Sequence, residues 1–338
     1  MTVLPAFLDA HVHLALMDPA ALAAGGIGRV LDLGGWVPAA TAAAAGSSVE
    51  SFPEARYAGQ FLAAPGGYPS RQVWAPAGSS CPVATPEEAA GAVARQAAAG
   101  ASVIKVTLNA VAGPVLDGGT LAAIVTAAHE RMLPVAAHTE GAGQAAAAFA
   151  AGVDLLAHTP FSERLPDELL AAMAGRLAWI STLDIHGWGR PTAAFAVASD
   201  NLRRFHAGGG RVLYGTDLGN GPLPVGLNRR EIEALLACGL SPDDVLAALT
   251  ADFPGRPAGA FVDTAPGTAV SGTAASGTAA AGDRPAPAGT VTVVPGDRPT
   301  DPHDLAGFTD WLLGARSQPA HALPTRARTR PDLEDLRS

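Results

Sequence analysis

The stretch "PAFLDAHVHL", residues 5–14, is an apolar run that carries two histidines near its end. A short apolar run of this kind is typical of a buried β-strand. His11 and His13 are two positions apart, so in a strand their side chains project from the same face. Two imidazoles at the carboxyl end of a strand predict a metal site, provided that the rest of the chain supplies further ligands.

Seven further apolar runs follow the first, and helical patterns separate them. Alanine-rich helices are predicted over residues 85–100, where Thr85 and Pro86 form the start, and over residues 117–132. Apolar strands that alternate with helices indicate a parallel sheet covered by helices. The eight predicted strands cover residues 5–14, 27–35, 56–64, 101–109, 133–141, 153–161, 177–185 and 210–220.

Eight such units predict an α/β fold, a (β/α)8 barrel of the TIM type. A doubly wound open sheet is the alternative, but no GxGxxG motif follows the first strand. In a (β/α)8 barrel the active residues lie at the carboxyl ends of the strands. Polar side chains of ligand type fall at these ends here: His11, His13, Lys105, His138, His158 and Asp217.

The chemistry of this set favours a metal ion. Imidazole and carboxylate groups bind zinc, manganese, iron or cobalt, and the absence of cysteine argues against a structural zinc site. Lys105 is the exception, because an ammonium group repels a cation. A lysine carbamylated by carbon dioxide is instead a carboxylate on a long stem that can bridge two metals, and a dry, cationic site favours the neutral amine that this reaction needs.

Five motifs follow one another along the predicted strands: "FLDAHVHL", "ASVIKVTLN", "PVAAHTEG", "DLLAHTPF" and "YGTD". Their order and spacing resemble the strand motifs of the amidohydrolase superfamily of metal-dependent hydrolases. The resemblance covers roughly residues 4–255, and the chain is most similar to members with a carbamylated lysine, including prolidase-like and imidazolonepropionase-related enzymes.

The resemblance implies a binuclear centre with two divalent ions, zinc being the first choice. It implies that His11, His13 and Asp217 bind the more buried ion and that His138 and His158 bind the second. Lys105, once carbamylated, would bridge the two ions. A metal-bound hydroxide would attack the substrate, and Asp217 would act first as general base and then as general acid.

The activity implied is hydrolysis of a C–N bond, an amide or cyclic amide, in a small-molecule substrate. Alternatives within the superfamily are a mononuclear deaminase and a lactone or phosphoester hydrolase, and a catalytically idle binding member is a third reading. The positions after the strands suggest substrate-binding residues: His186, Arg190, Asn109 and Asn220.

The sequence divides into three parts. The hydrolase barrel is predicted over residues 1–255, a low-complexity linker or insertion over 256–288, and a small, incomplete β element with a tail over 289–338. Superfamily members commonly have a small β-sandwich strand set before the barrel. Here the first barrel strand begins almost at Met1, so half of that element is expected to be missing.

Composition restricts the partners. The net charge of -9 argues against nucleic acid and an anionic membrane, and the 48% apolar content supports a sizeable core. Two distant cysteines and the lack of a signal-peptide pattern predict a reducing, cytoplasmic location. No run is long and apolar enough to span a bilayer. Assembly into a homo-oligomer is left open.

Overall fold

The computed structural model describes residues 1–35, 53–254 and 289–323. The linker predicted over residues 256–288 and the end of the tail lie outside the described residues. The strands are β1 (Thr2–Pro5), β2 (Phe7–Val12), β3 (Ile27–Asp32), β4 (Glu54–Tyr57), β5 (Phe61–Ala63), β6 (Ser80–Pro82), β7 (Ile104–Asn109), β8 (Val135–Glu140), β9 (Leu155–Leu156), β10 (Ala178–Ile180), β11 (Arg211–Leu213), β12 (Thr290–Val294) and β13 (Arg316–Pro319).

Helices alternate with the strands from β6 onward, as the sequence predicts. They are α1 (Pro86–Ala98), α2 (Gly118–His129), α3 (Gln144–Ala151), α4 (Asp167–Ala174), α5 (Ala193–Ala207), α6 (Arg229–Ala237), α7 (Pro242–Leu249) and α8 (Leu305–Leu313). The starts of α1 and α2 have the expected chemistry. Pro86 occupies the first turn of α1, and the Asp117 side chain accepts hydrogen bonds from Gly119 and Thr120 at the start of α2.

The strands form two parallel sheets, in the orders β2-β3-β4 and β11-β10-β9-β8-β7-β5-β6. A single predicted strand, over residues 56–64, links them, because it is broken into β4 and β5. The first half pairs with β3 and the second half with β7. At the other end, the Asp217 amide donates to the His11 carbonyl at 2.8 Å, which ties the segment after β11 to β2.

This arrangement confirms the predicted α/β fold of the (β/α)8 type, because each of the eight predicted runs contains a strand in a parallel sheet. Two buried apolar clusters follow from the alternation of side chains along the strands. The smaller one contains Leu8, Leu31 and Ile180 and joins side chains from both parallel sheets. The larger one contains Ile104, Val106 and Trp179 and lies between strands and helices.

A third, antiparallel sheet has the order β1-β12-β13. The predicted strand near residue 290 is β12, and Val291 and Val294 of this strand pair with Pro5 and Thr2 of β1. β1 lies almost entirely before the first predicted run, which begins at residue 5. The N-terminal residues therefore supply a strand to the small β element, although the sequence predicts that the part before the barrel is missing.

Within the described ranges, none of the helices has the length and apolar character that crossing a membrane requires.

Candidate metal centre

His11 and His13 project their Nε2 atoms toward one buried point. The Nδ1 atom of His11 lies 2.8 Å from the Ala157 carbonyl oxygen, and that of His13 lies 2.8 Å from the Gly34 carbonyl oxygen. A carbonyl oxygen only accepts, so each Nδ1 is the donor and carries the proton. In the neutral imidazoles, Nε2 is therefore the atom with the free lone pair.

Asp217 faces both of these lone pairs. Its Oδ1 atom lies 3.1 Å from Nε2 of His11 and 2.9 Å from Nε2 of His13. Asp217 has a backbone φ of +61°, in the left-handed region. Gly215 precedes it, where a Cβ atom would lie 2.3 Å from Ile180 Cγ2, so a larger residue there would push this segment away from β10.

These contacts lack hydrogen bonds, although the atoms are buried. Nε2 of His11 and Oδ1 of Asp217 have no hydrogen-bond partner among the described residues. Buried polar atoms that face each other without a proton between them are costly. A cation would offset this cost, and the three donor atoms lie within 4.8 Å of one another. The residues therefore fit a divalent metal ion such as zinc.

The electrostatics agree with this picture for His11 and Asp217, whereas those of His13 favour its protonated form. Burial lowers the pKa of His11 well below its usual value, which favours the neutral, ligating form. Burial raises the pKa of Asp217, but His11 and His13 outweigh this effect and hold it well below its usual value. Asp217 is thus a carboxylate at neutral pH. Burial also lowers the pKa of His13, and Asp217 reverses the direction, so its pKa is raised.

His158 and His138 extend the cluster into a row of four imidazoles. The ring centroids of His11 and His158 are 4.7 Å apart, and those of His158 and His138 are 4.9 Å apart. Thr182 Oγ1 lies 2.9 Å from Nδ1 of His158. Nε2 of His138 is buried and has no hydrogen-bond partner in the part of the chain that the structure describes. The row thus places the imidazoles of His138 and His158 beside those of His11 and His13.

Lys105 is the second residue of β7 and 2% of its surface is exposed. The prediction that it lies at the carboxyl end of its strand is therefore wrong. It occupies the same face of the strand as Val103, which belongs to the smaller apolar cluster. Burial lowers the pKa of its amine to about 7, partly offset by Asp217 and Asp32. Its positive charge is one of the effects that act to lower the histidine pKa values, although the net pKa of His13 is raised. Lys105 therefore lies within electrostatic range of four histidines: His11, His13, His138 and His158.

The four predicted substrate-binding residues occupy different surroundings. Asn220 donates to Oδ2 of Asp217 at 2.9 Å and so orients the carboxylate. Asn109 donates to Glu140 at 2.6 Å and accepts from the amides of the loop that follows β7. His186 packs on Phe161, with 4.2 Å between ring centroids. Arg190 is exposed in the loop that follows β10.

Three features of the site escaped the sequence analysis. Asp9 is buried beside His11 and accepts from Thr216 Oγ1 at 2.6 Å, while burial raises its pKa to about 7. Asp32 accepts from the amides of Leu14 and Gly34, which shape the two loops around His13. Tyr68 stacks on His138, at 4.9 Å and 23°. The position of Tyr68 after a strand was the available signal, since loops at this end border the site.

No family model and no curated protein matches this sequence. Solved structures do match in fold. A Xaa-Pro dipeptidase is 22% identical over 73% of this chain and 74% of its own, with a TM-score of 0.59. The ochratoxinase of A. niger is 21% identical over 75% and 72%, with a TM-score of 0.59. Phenylurea hydrolase B is 16% identical over 73% of each chain, with a TM-score of 0.55.

This chain has the fold of these hydrolases. The fold that the resemblance of the five strand motifs implies is therefore confirmed. It rests on the order and placement of the strands, because the sequence identities are low. The ligand roles of the individual residues stay predictions at this point.

Proposed function

We propose that this protein is a metal-dependent hydrolase that cleaves a C–N bond, an amide or cyclic amide, in a small molecule. One observation carries the proposal: donor atoms of His11, His13 and Asp217 lie within 4.8 Å of one another, and Nε2 of His11 and Oδ1 of Asp217 are buried without a hydrogen-bond partner among the described residues. The similarity in fold to a dipeptidase, an ochratoxinase and a phenylurea hydrolase supports the choice of bond.

The residues of the chain divide the work of such a reaction. His11, His13 and Asp217 would hold a divalent ion, which when bound would supply a Lewis acid for a carbonyl group and lower the pKa of water toward neutral. Asn220 orients the Asp217 carboxylate, and the lowered pKa of Asp217 keeps it ionised at neutral pH. As a carboxylate, Asp217 would take the proton that the attacking water releases and return it to the leaving amine.

A second ion and a carbamate on Lys105 complete the proposal. His138 and His158 supply the further nitrogens, and Lys105 acts electrostatically on both histidine pairs. Carbamylation forms a bond between Nζ and the carbon of carbon dioxide, while the amine releases one proton. The product is a carboxylate. It removes the ammonium charge from a buried row of metal ligands, which would otherwise oppose cation binding.

A single-ion hydrolase is the second candidate, and one observation favours it. Only His11, His13 and Asp217 have donor atoms that all lie within 4.8 Å of one another in the described structure. His138 and His158 would then orient the substrate or share a proton with it. The two candidates differ in the number of ions that each chain binds.

The test combines metal analysis with a hydrolase screen. Wild-type protein loaded with zinc or manganese should bind two ions per chain and hydrolyse at least one amide, dipeptide or cyclic amide. Lactones and phosphoesters serve as the competing classes. The double variant His11→Ala/His13→Ala should lose metal and activity while its circular dichroism spectrum stays that of a folded barrel. One ion per chain would favour the single-ion form. Full metal content in the double variant would overturn the proposal.

A further inference from the structure

Seven rings form a closed circuit around the donor cluster. Successive centroid distances are 5.1 Å from His13 to His11, 4.7 Å to His158, 4.9 Å to His138, 4.9 Å to Tyr68, 6.0 Å to Trp74, 6.5 Å to Phe61 and 5.9 Å back to His13. Four members are the histidines. The other three, Phe61, Tyr68 and Trp74, form what we call the aromatic arc.

The aromatic arc comes from β5 and the loop that follows it. Phe61 is buried at 2% exposure and fills the space beside Gly34, where a Cβ atom would lie 2.5 Å from its ring. The Tyr68 carbonyl accepts a hydrogen bond from Thr107 Oγ1, which ties the loop to β7. The arc is therefore held at both ends by strands that also carry the site.

Tyr68 and Trp74 are half-buried, so part of each ring surface is open to solvent. Tyr68 lies directly against His138, and Trp74 touches both other rings of the arc. His138 also has a polar neighbour, since Glu140 lies 3.5 Å from its Nε2 atom and Asn109 donates to Glu140. His138 is thus contacted by both an aromatic ring and a carboxylate.

We propose that Tyr68 and Trp74 form an aromatic subsite, which binds a planar apolar group of the substrate next to the scissile C–N bond. This inference rests on the proposed function and specifies its substrate class: amides in which an aromatic ring lies within a few bonds of the scissile carbonyl or nitrogen. Aromatic rings stack in offset or edge-to-face geometry at centroid distances of about 4.5–7 Å. Contact between Tyr68 and His138 keeps such a ring close to the reacting centre.

The test uses substrate pairs that differ only in planarity. N-benzoylglycine is compared with N-cyclohexanecarbonylglycine for the acyl side, and N-acetylaniline with N-acetylcyclohexylamine for the amine side. Wild-type protein should prefer the planar member of at least one pair by about 3- to 10-fold in kcat/KM, the range that aromatic stacking supplies.

The variants then locate the preference. Trp74→Leu should abolish it, whereas Trp74→Phe should retain most of it. Trp188→Leu is the matched control, because Trp188 is 46% exposed and no ring contact joins it to the arc within the described structure. It should keep the wild-type ratio. Equal rates for both members of both pairs, or a preference that survives in Trp74→Leu, would overturn the aromatic subsite.

Failure of the subsite and failure of the hydrolase proposal are separable. If amides are cleaved without preference for planar groups, the hydrolase stands and the subsite falls. If no amide is cleaved, saturation-transfer NMR on zinc-loaded protein compares benzamide with cyclohexanecarboxamide as ligands. Benzamide binding that Trp74→Leu weakens and Trp188→Leu leaves intact would support the subsite without any activity. Equal binding of the two amides would reject it.

Discussion

Two groups of histidine and aspartate lie at opposite ends of the strands, and the two groups differ in the hydrogen bonds of their polar atoms. At the amino ends, Nε2 of His129, the last residue of α2, lies 2.8 Å from Oδ2 of Asp154, which also accepts from the Val135 amide at 2.8 Å. At the carboxyl ends, Oδ1 of Asp217 faces His11 and His13 without a hydrogen bond.

The difference separates a structural pair from a ligand set, even though the residue types are the same. In the first group a proton joins nitrogen and oxygen, and the aspartate ties a helix end to two strands. In the second group each imidazole already uses its proton on a carbonyl group, so the facing lone pairs require a cation. Both groups place an imidazole beside a carboxylate. They differ in whether the nitrogen that faces the carboxylate forms a hydrogen bond with it.

The largest expected effect is on zinc binding, and it tests directly whether the two histidine groups differ in function. His13→Ala should weaken zinc binding by more than about 100-fold, because it removes a ligand rather than an outer partner. His129→Ala, the matched change at the other end, should leave zinc affinity unchanged. Competition titration with a zinc-binding dye measures both. Equal losses in the two variants would show that the two groups are not different in kind.

Lys105 gives the next largest effect. Lys105→Ala should lose nearly all activity and hold less metal, because the proposed carbamate on Lys105 could not form. Added formate or acetate should restore part of the activity by entering the vacated space. Wild-type turnover and metal content in this variant would exclude Lys105 from the metal site.

The same lysine predicts a pH dependence. Its pKa is lowered to about 7, so the neutral amine that reacts with carbon dioxide becomes the major form as the pH rises through 7. At fixed dissolved carbon dioxide, protein stripped of carbamate should regain activity faster at pH 8 than at pH 6. Native mass spectra should show the carbamate mass increment grow in parallel. A pH-independent rate of recovery would contradict this assignment.

A smaller effect concerns the partner of a ligand. Thr182 Oγ1 contacts Nδ1 of His158, which is a ligand of the proposed second ion. Thr182→Ala should therefore lower the affinity for that ion by about 10-fold. Thr182→Ser keeps the hydroxyl group and should bind like the wild type. Isothermal titration calorimetry with manganese measures the difference. Identical affinities for the alanine and serine variants would remove Thr182 from the site.

The smallest effect lies in the structural pair. His129→Ala removes one partner of Asp154 and should lower the free energy of unfolding by about 1 kcal/mol, the usual value for one hydrogen bond. Urea denaturation of the metal-free protein measures it. A change in metal content rather than in stability would show that this pair also belongs to a ligand site.

Much of the fold was predictable, because each apolar run is long enough to mark a strand and the starts of α1 and α2 have local signals. The eight runs contain all or part of every strand of the two parallel sheets except β6, which lies between the predicted runs 56–64 and 101–109. The polar residues of these runs include His11, His13 and Asp217. The break between β4 and β5 was not predictable. Residues 56–64 form one apolar run, and only the change of partner from β3 to β7 divides it.

The aromatic arc shows the same limit within the site. Tyr68 and Trp74 lie in a loop without periodicity, where residue type says nothing about which strand end the ring will reach. Their positions depend on long-range contacts, such as the bond from Thr107 to the Tyr68 carbonyl and the stacking of Tyr68 on His138. Contacts between residues far apart in sequence leave no local pattern.

The sequence by itself determined the class of fold and the polar residues at the strand ends, because the period of side chains and the identity of ligand types are local properties. Only the tertiary structure decided which nitrogen of each imidazole is free. That choice depends on carbonyl groups of Ala157 and Gly34, which belong to other strand ends. A metal site is set by where protons lie, and in this protein distant parts of the chain place them.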